Sequence, residues 1–165
     1  GAAALTPFLG RFLDTRGKGA TMLIIGAVLM ILCHLVFAFV PLTPAIAFTA
    51  IIILGVSFSL VPAALWPSVP KLVENRYMGS AYAVIFWIQN IGLWLFPIII
   101  GSALNKTNPG VSEQIRMGVE GATYDYTVPM LIFASLGVLA FLLGIWLKRL
   151  DKQKGYGLEL PNIKK

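Results

Sequence analysis

Residues 10–19 read GRFLDTRGKG and gather two arginines, a lysine, an aspartate and three glycines in ten positions. Apolar sequence flanks them on both sides: AAALTPFL at 2–9 and ATMLIIGAVLMILCHLVFAFV at 20–40. The 165-residue chain is 58% hydrophobic and only 12% charged, where soluble domains carry about 25% charged residues. A soluble core of this length has no use for so much apolar sequence. The chain therefore reads as a membrane protein, and the charged cluster as a loop between two spans.

A span takes about 20 predominantly apolar residues, because a helix rising about 1.5 Å per residue must cross roughly 30 Å of hydrocarbon. Four runs meet this, at about 20–40, 44–65, 79–104 and 127–147, and none holds Asp, Glu, Lys or Arg. A charge at mid-bilayer costs about 2.5–3.5 kcal/mol, which accounts for their exclusion. Hydrocarbon admits only structures that satisfy their own backbone, and runs this long without two-residue alternation are helices. The opening GAAALTPFLG has no methionine and no charged n-region, so it is not a signal peptide. The expected fold is all-α: four transmembrane helices plus the end of a fifth, forming a partial bundle over 1–150, followed by a basic tail at 151–165. The single cysteine, Cys33, has no partner for an intrachain disulfide.

The charges also predict orientation. The segment around Asp14 holds Arg11, Arg16 and Lys18 against one acid, the 71–76 turn Lys71 and Arg76 against Glu74, and the tail after Leu147 six cations against two acids. The 105–126 segment between the third and fourth runs is acidic in balance: Glu113, Glu120 and Asp125 against Lys106 and Arg116. Cationic loops stay in the cytosol, so the first cluster, the 71–76 turn and the C-terminus are expected there. The basic tail needs no nucleic acid to explain it; a solvated segment touching anionic membrane lipid suffices. The sequon Asn105-Lys106-Thr107 abuts the end of the third run, where modification is not expected.

Gly10, Asp14, Gly17 and Lys18 follow the spacing G-x-x-x-D-x-x-G-[RK], with Arg16 between them. Gly10 suits close backbone approach, Asp14 a helix N-terminus or a neighbouring arginine, and Gly17 a turn with positive φ. This pattern resembles the signature cytosolic loop of the major facilitator superfamily, departing from it at Thr15, where a basic residue is common. Residues 59–101, with their Trp-Pro-Ser-Val-Pro and Gln-Asn-Ile-Gly-Leu-Trp strings, resemble the tenth and eleventh helices of the superfamily's lysosomal dipeptide transporter branch. The resemblance implies a twelve-helix carrier of the lysosomal membrane that exports dipeptides to the cytosol by alternating access, with the charged loop latching one conformation. It also implies a glycosylated lysosomal membrane protein as accessory subunit.

Several side chains inside the runs are candidates for substrate contact. Gly55, Ser59, Pro62 and Trp66 recur on one helical face within about 40°. Ser59 can satisfy a peptide's polar groups, and the Trp66 indole can hold a cation or sit in the interfacial belt. Pro62 is expected to kink its helix into a gate. In the third run Tyr82, Phe86, Gln89, Asn90, Leu93 and Pro97 share a face about 100° wide. Gln89 and Asn90 are the only amides inside any run, and amides in hydrocarbon need partners, from a neighbouring helix or a wet cavity. The eleventh helix lines the cavity in the superfamily, which favours the second. Trp87 and Trp94 fall elsewhere on the helix, as lipid or packing residues. His34, the lone histidine, could relay protons, but the resemblance implies a peripheral ninth helix, where an interhelical hydrogen bond is expected instead. The absence of a carboxylate from every run points to uniport. No phosphate-binding loop, metal-ligand cluster or activated nucleophile is present, so neither enzyme activity nor a cofactor is expected. A carrier for a sugar or organic anion, or a four-span structural protein, are the alternative readings. The tail GYGLELPNIKK is expected to be unstructured.

Overall fold

The computed structural model describes residues 2–163; Gly1, Lys164 and Lys165, the last two counted above among the tail cations, lie outside them. Helix α1 spans Ala2–Arg16, α2 Gly19–Phe39, α3 Pro44–Leu72, α4 Met78–Thr107, α5 Val111–Arg116 and α6 Thr127–Lys154. A single 3₁₀ turn, Asn75–Tyr77, joins α3 to α4. Among the described residues there is no strand, and α2, α3, α4 with its preceding turn, and α6 are long and apolar enough to cross a membrane. This is the expected all-helical membrane architecture, with α1 ahead of the four spans.

Helix α2 is the hub, packed along both α3 and α6, while α1 lies on α3. Helices in lipid gain little from apolar burial alone, so small residues that let backbones approach carry the contacts. Two glycines of α6 do this against α2. A Cβ at Gly137 would stand 2.7 Å from Ile31 Cγ1, and one at Gly144 2.9 Å from Ile24 Cγ1. On the α3 side, Ser57 Oγ donates to Gly26 O at 2.7 Å, tying the two backbones directly. Helix α4 differs from all of these: none of its residues is buried, and it meets α3 and α6 only lightly.

Two features depart from the sequence reading. Helix α3 continues past residue 65 to Leu72 although Pro62, Pro67 and Pro70 all lie inside it. The tail is not loose. It leaves α6 at Gly155, which adopts φ 68°, and folds back onto the turn between α1 and α2, where Leu158 is 1% exposed. Backbone and side-chain hydrogen bonds and one buried leucine hold it, none of which a glycine- and proline-containing composition announces.

At the other end of the bundle Asn108 pins the long 105–126 segment. Its Nδ2 donates to Asp125 O at 2.9 Å, and its Oδ1 accepts from Asp125 N at 2.7 Å. Asp125 in turn accepts from Thr127 N at 2.8 Å and opens α6. These bonds to Thr127 hold the Asp125 carboxyl below its ordinary value. Its support of α6 is therefore present above the usual aspartate range and lost only as pH falls through the lowered value.

If close approach at the glycines joins α2 to α6, Gly137→Leu should destabilise the bundle by about 1–3 kcal/mol through overpacking. Gly55→Ala, where a Cβ meets nothing within 4 Å, should leave stability unchanged or raise it slightly. Thermal unfolding in detergent, followed by tryptophan fluorescence, compares the two.

Candidate functional site

Three of the side chains singled out in the sequence meet at the contact of α3 with α4. The Trp66 and Phe86 rings stack with centroids 5.1 Å apart and an interplanar angle of 29°. Tyr82 tilts against Trp66 at 5.8 Å and 42°, and its hydroxyl donates to Trp66 O at 3.3 Å. The reason for that bond lies in the sequence four residues on. Pro70 has no N–H, so the Trp66 carbonyl lacks its i+4 donor, and an unmet carbonyl in hydrocarbon is costly. Tyr82 supplies the donor from the neighbouring helix. Ring pairs of this kind contribute about 0.5–1.5 kcal/mol beyond area burial.

One turn further along α4 opens a cleft of about 530 Å³, bounded by α2, α3, α4 and α6. Phe58, Phe96, Phe133 and Leu136 give it apolar walls. His34 and Gln89 are its polar side chains, and Pro97 lies beside them. Pro97 deprives the Leu93 carbonyl, also in the wall, of its i+4 donor. His34 is buried and does not make the expected interhelical hydrogen bond: its Nδ1 lies 2.7 Å from Met30 O on its own helix. A carbonyl only accepts, so Nδ1 carries the proton in this contact. The ring packs against Phe133 at 5.3 Å.

The other candidates do not join these groups. Ser59 is completely buried, and its hydroxyl donates to Gly55 O at 2.8 Å on its own helix. Asn90 is exposed, and its Nδ2 donates to Phe86 O at 2.8 Å. Adjacent residues on a helix point about 100° apart, so Gln89 and Asn90 serve different faces. Pro62 is half-buried within α3, which runs through it without a break in the helix.

The charged loop forms the bundle's other distinctive site. Gly17 adopts φ 73° and Lys18 φ 68°, the left-handed turn expected of Gly17. Arg16 and Lys18 are exposed. Gly10 supports no close approach, since nothing lies within 4 Å of a Cβ there. The Asp14 carboxylate pairs with neither a helix N-terminus nor an arginine; Oδ1 accepts from Asn162 Nδ2 at 2.8 Å. The Asp14 carbonyl also accepts from the amides of Asn162 at 3.1 Å and Ile163 at 3.0 Å. The tail occupies the place assigned above to a neighbouring helix. Sequence spacing has no means of pairing residues so far apart in the chain.

Curated relatives of the chain are described as lysosomal dipeptide transporters. It is 36% identical over 104 residues to the lysosomal dipeptide transporter MFSD1 of Danio rerio, 34% over 105 residues to that of Homo sapiens, and 35% over 104 residues to that of Bos taurus. These matches take in 63%, 64% and 63% of this chain and 22% of each relative. The chain thus spans about a fifth of the length of the curated relatives it matches. No family model and no solved structure matches it. In sequence, the chain resembles part of a lysosomal dipeptide transporter of the major facilitator superfamily.

The proline account of Tyr82 makes a double-mutant prediction. Tyr82→Phe should cost about 0.5–1.5 kcal/mol in detergent unfolding. In a Pro70→Ala background, where residue 70 again offers an N–H to Trp66 O, the same substitution should cost markedly less.

Proposed function

We propose that this chain is part of a major facilitator carrier of the lysosomal membrane that moves dipeptides from lumen to cytosol by alternating access, as a uniporter. The observation that carries the reading is the similarity over 63% of the chain to lysosomal dipeptide transporters, joined to the Gly10–Asp14–Gly17–Lys18 loop lying between α1 and α2. In this reading α1 to α4 and α6 correspond to the eighth to twelfth helices. The loop, the 71–76 turn and the C-terminus face the cytosol in this reading, which the distribution of cations supports. Membrane lipid contacts the apolar outer surface, and a glycosylated lysosomal membrane protein serves as accessory subunit, as the resemblance implies.

Substrate contact falls to Trp66, Tyr82, Phe86, Gln89 and Asn90. The aromatic stack offers ring faces to apolar and cationic groups of a peptide. The Gln89 amide offers both a donor and an acceptor in a cleft whose only other polar lining side chain is His34, the pattern by which a few polar groups orient a small ligand. Asn90 Oδ1 is exposed on α4, the helix least committed to packing within this chain. Rocking of one helix group against another around a fixed site is the general carrier mechanism, and lightly packed α4 suits a helix that shifts between states. The charged loop latches one of those states through Asp14, Arg16, Gly17 and Lys18.

The test is uptake by the complete carrier in liposomes, with dipeptides offered beside free amino acids, sugars and organic anions, with and without a pH gradient. Saturable dipeptide uptake independent of the gradient is the expected result. Sugar or anion uptake without dipeptide uptake would overturn the substrate assignment. In the same assay Asn90→Leu should raise KM about tenfold, equivalent to about 1.4 kcal/mol, at unchanged expression.

A further inference from the structure

Helix α2 begins without a side-chain cap of its own. Lys18 holds the cap position in the left-handed region and makes no side-chain capping bond. The first amides of any helix need acceptors from outside it. Here they come from the opposite end of the chain. Lys18 N donates to Glu159 O at 3.1 Å, and Gly19 N to Leu158 O at 2.9 Å. Thr21 N donates to Glu159 Oε1 at 2.8 Å, and Thr21 Oγ1 to Oε2 at 2.8 Å. A carboxylate at this place also meets the positive end of the helix dipole.

The same short segment reaches the other helices. Lys71 Nζ, at the end of α3, donates to Gly157 O at 2.9 Å and Leu160 O at 2.7 Å. Asp151, near the end of α6, accepts from Leu158 N at 3.0 Å. Asn162 and Ile163 hold the last turn of α1 through Asp14. Leu158 closes the centre, so that only about 10 Å³ of space remains among Leu13, Ala64, Ser68 and their neighbours. The backbone passes so near Gly17 that a Cβ there would stand 2.7 Å from Pro161 N.

We propose that residues 157–163 are a detachable strap: a seat at the charged end of the bundle receives the Gly-Leu-Glu-Leu-Pro-Asn segment, which opens with a tight turn closed by Leu160 N donating to Gly157 O at 3.1 Å, caps α2 with it, and thereby locks the charged loop. Docked, the strap makes α1, α2, α3 and α6 one body at this end. Released, it leaves the α2 amides to water and α1 held by its packing on α3 and on Met22 and Leu23 of α2, so the loop loosens while the helix contacts persist. The inference is independent of what the carrier moves.

Hydrogen exchange of the intact chain in lipid nanodiscs, resolved to single amides by mass spectrometry, tests it. In Leu158→Asp the amides of Lys18, Gly19 and Thr21 should exchange at least about tenfold faster than in the unaltered chain. Amides in the middle of α2 and α6 should not change. In Glu159→Ala the acceleration should be confined to Thr21, the amide that loses a side-chain acceptor. Unchanged exchange at 18–21 in both variants would overturn the capping role. Acceleration throughout α2 and α6 would overturn detachability, because the segment would then belong to the core.

Discussion

A helix surrounded by lipid has apolar neighbours whether or not it touches another helix, so what joins α2 to α6 is nearness rather than escape from water. That nearness exists because α6 has no side chain at Gly137 and Gly144, where Ile31 and Ile24 of α2 press against its backbone. The fixing of α6 determines where the chain emerges beyond Lys154, beside the start of α2. The fixing of α3 on the other flank of α2, through Ser57 and Gly26, brings Lys71 to the same end. Both the strap's seat and the walls of the cleft are consequences of these two helix pairs.

Prolines do the opposite work, opening backbone groups that the fold must then answer. Pro70 leaves the Trp66 carbonyl to Tyr82, and that bond with the adjoining ring stack attaches the start of α4 to α3. Asn108 and Asp125 attach its far end. Between these attachments α4 has no buried residue, and the cleft lies along this stretch. A helix tied at its ends and only lightly packed between them has room to tilt or bend against the rest of the bundle.

The spans were legible in the sequence because hydrocarbon excludes charge so strictly that length and composition suffice to find them. The left-handed turn at Gly17 was legible for a similar reason, since few residues accept positive φ. The partners were not legible. Trp66, Tyr82 and Phe86 each stand out in the sequence, but helical periodicity places a residue on a face without saying which helix lies opposite. The position of His34 suggests an interhelical bond, whereas its Nδ1 is satisfied by the i−4 carbonyl of Met30, a local choice open to many polar side chains in a helix. The tail differs from its composition: glycine and proline suggest a loose segment, yet its order comes from backbone groups that every sequence carries and from side-chain partners such as Lys71, Asp151 and Thr21 that lie far away in the sequence.

Thr21 and Glu159 are 138 residues apart, and this separation bears on how the protein is made. The amides at the start of α2 are among the first of the described backbone to be synthesised, and their acceptors are among the last. All four spans can enter the membrane while this end of the bundle is still capped by water. The charged loop acquires its final shape only after residue 159 has been made, so a late segment sets the form of an early one.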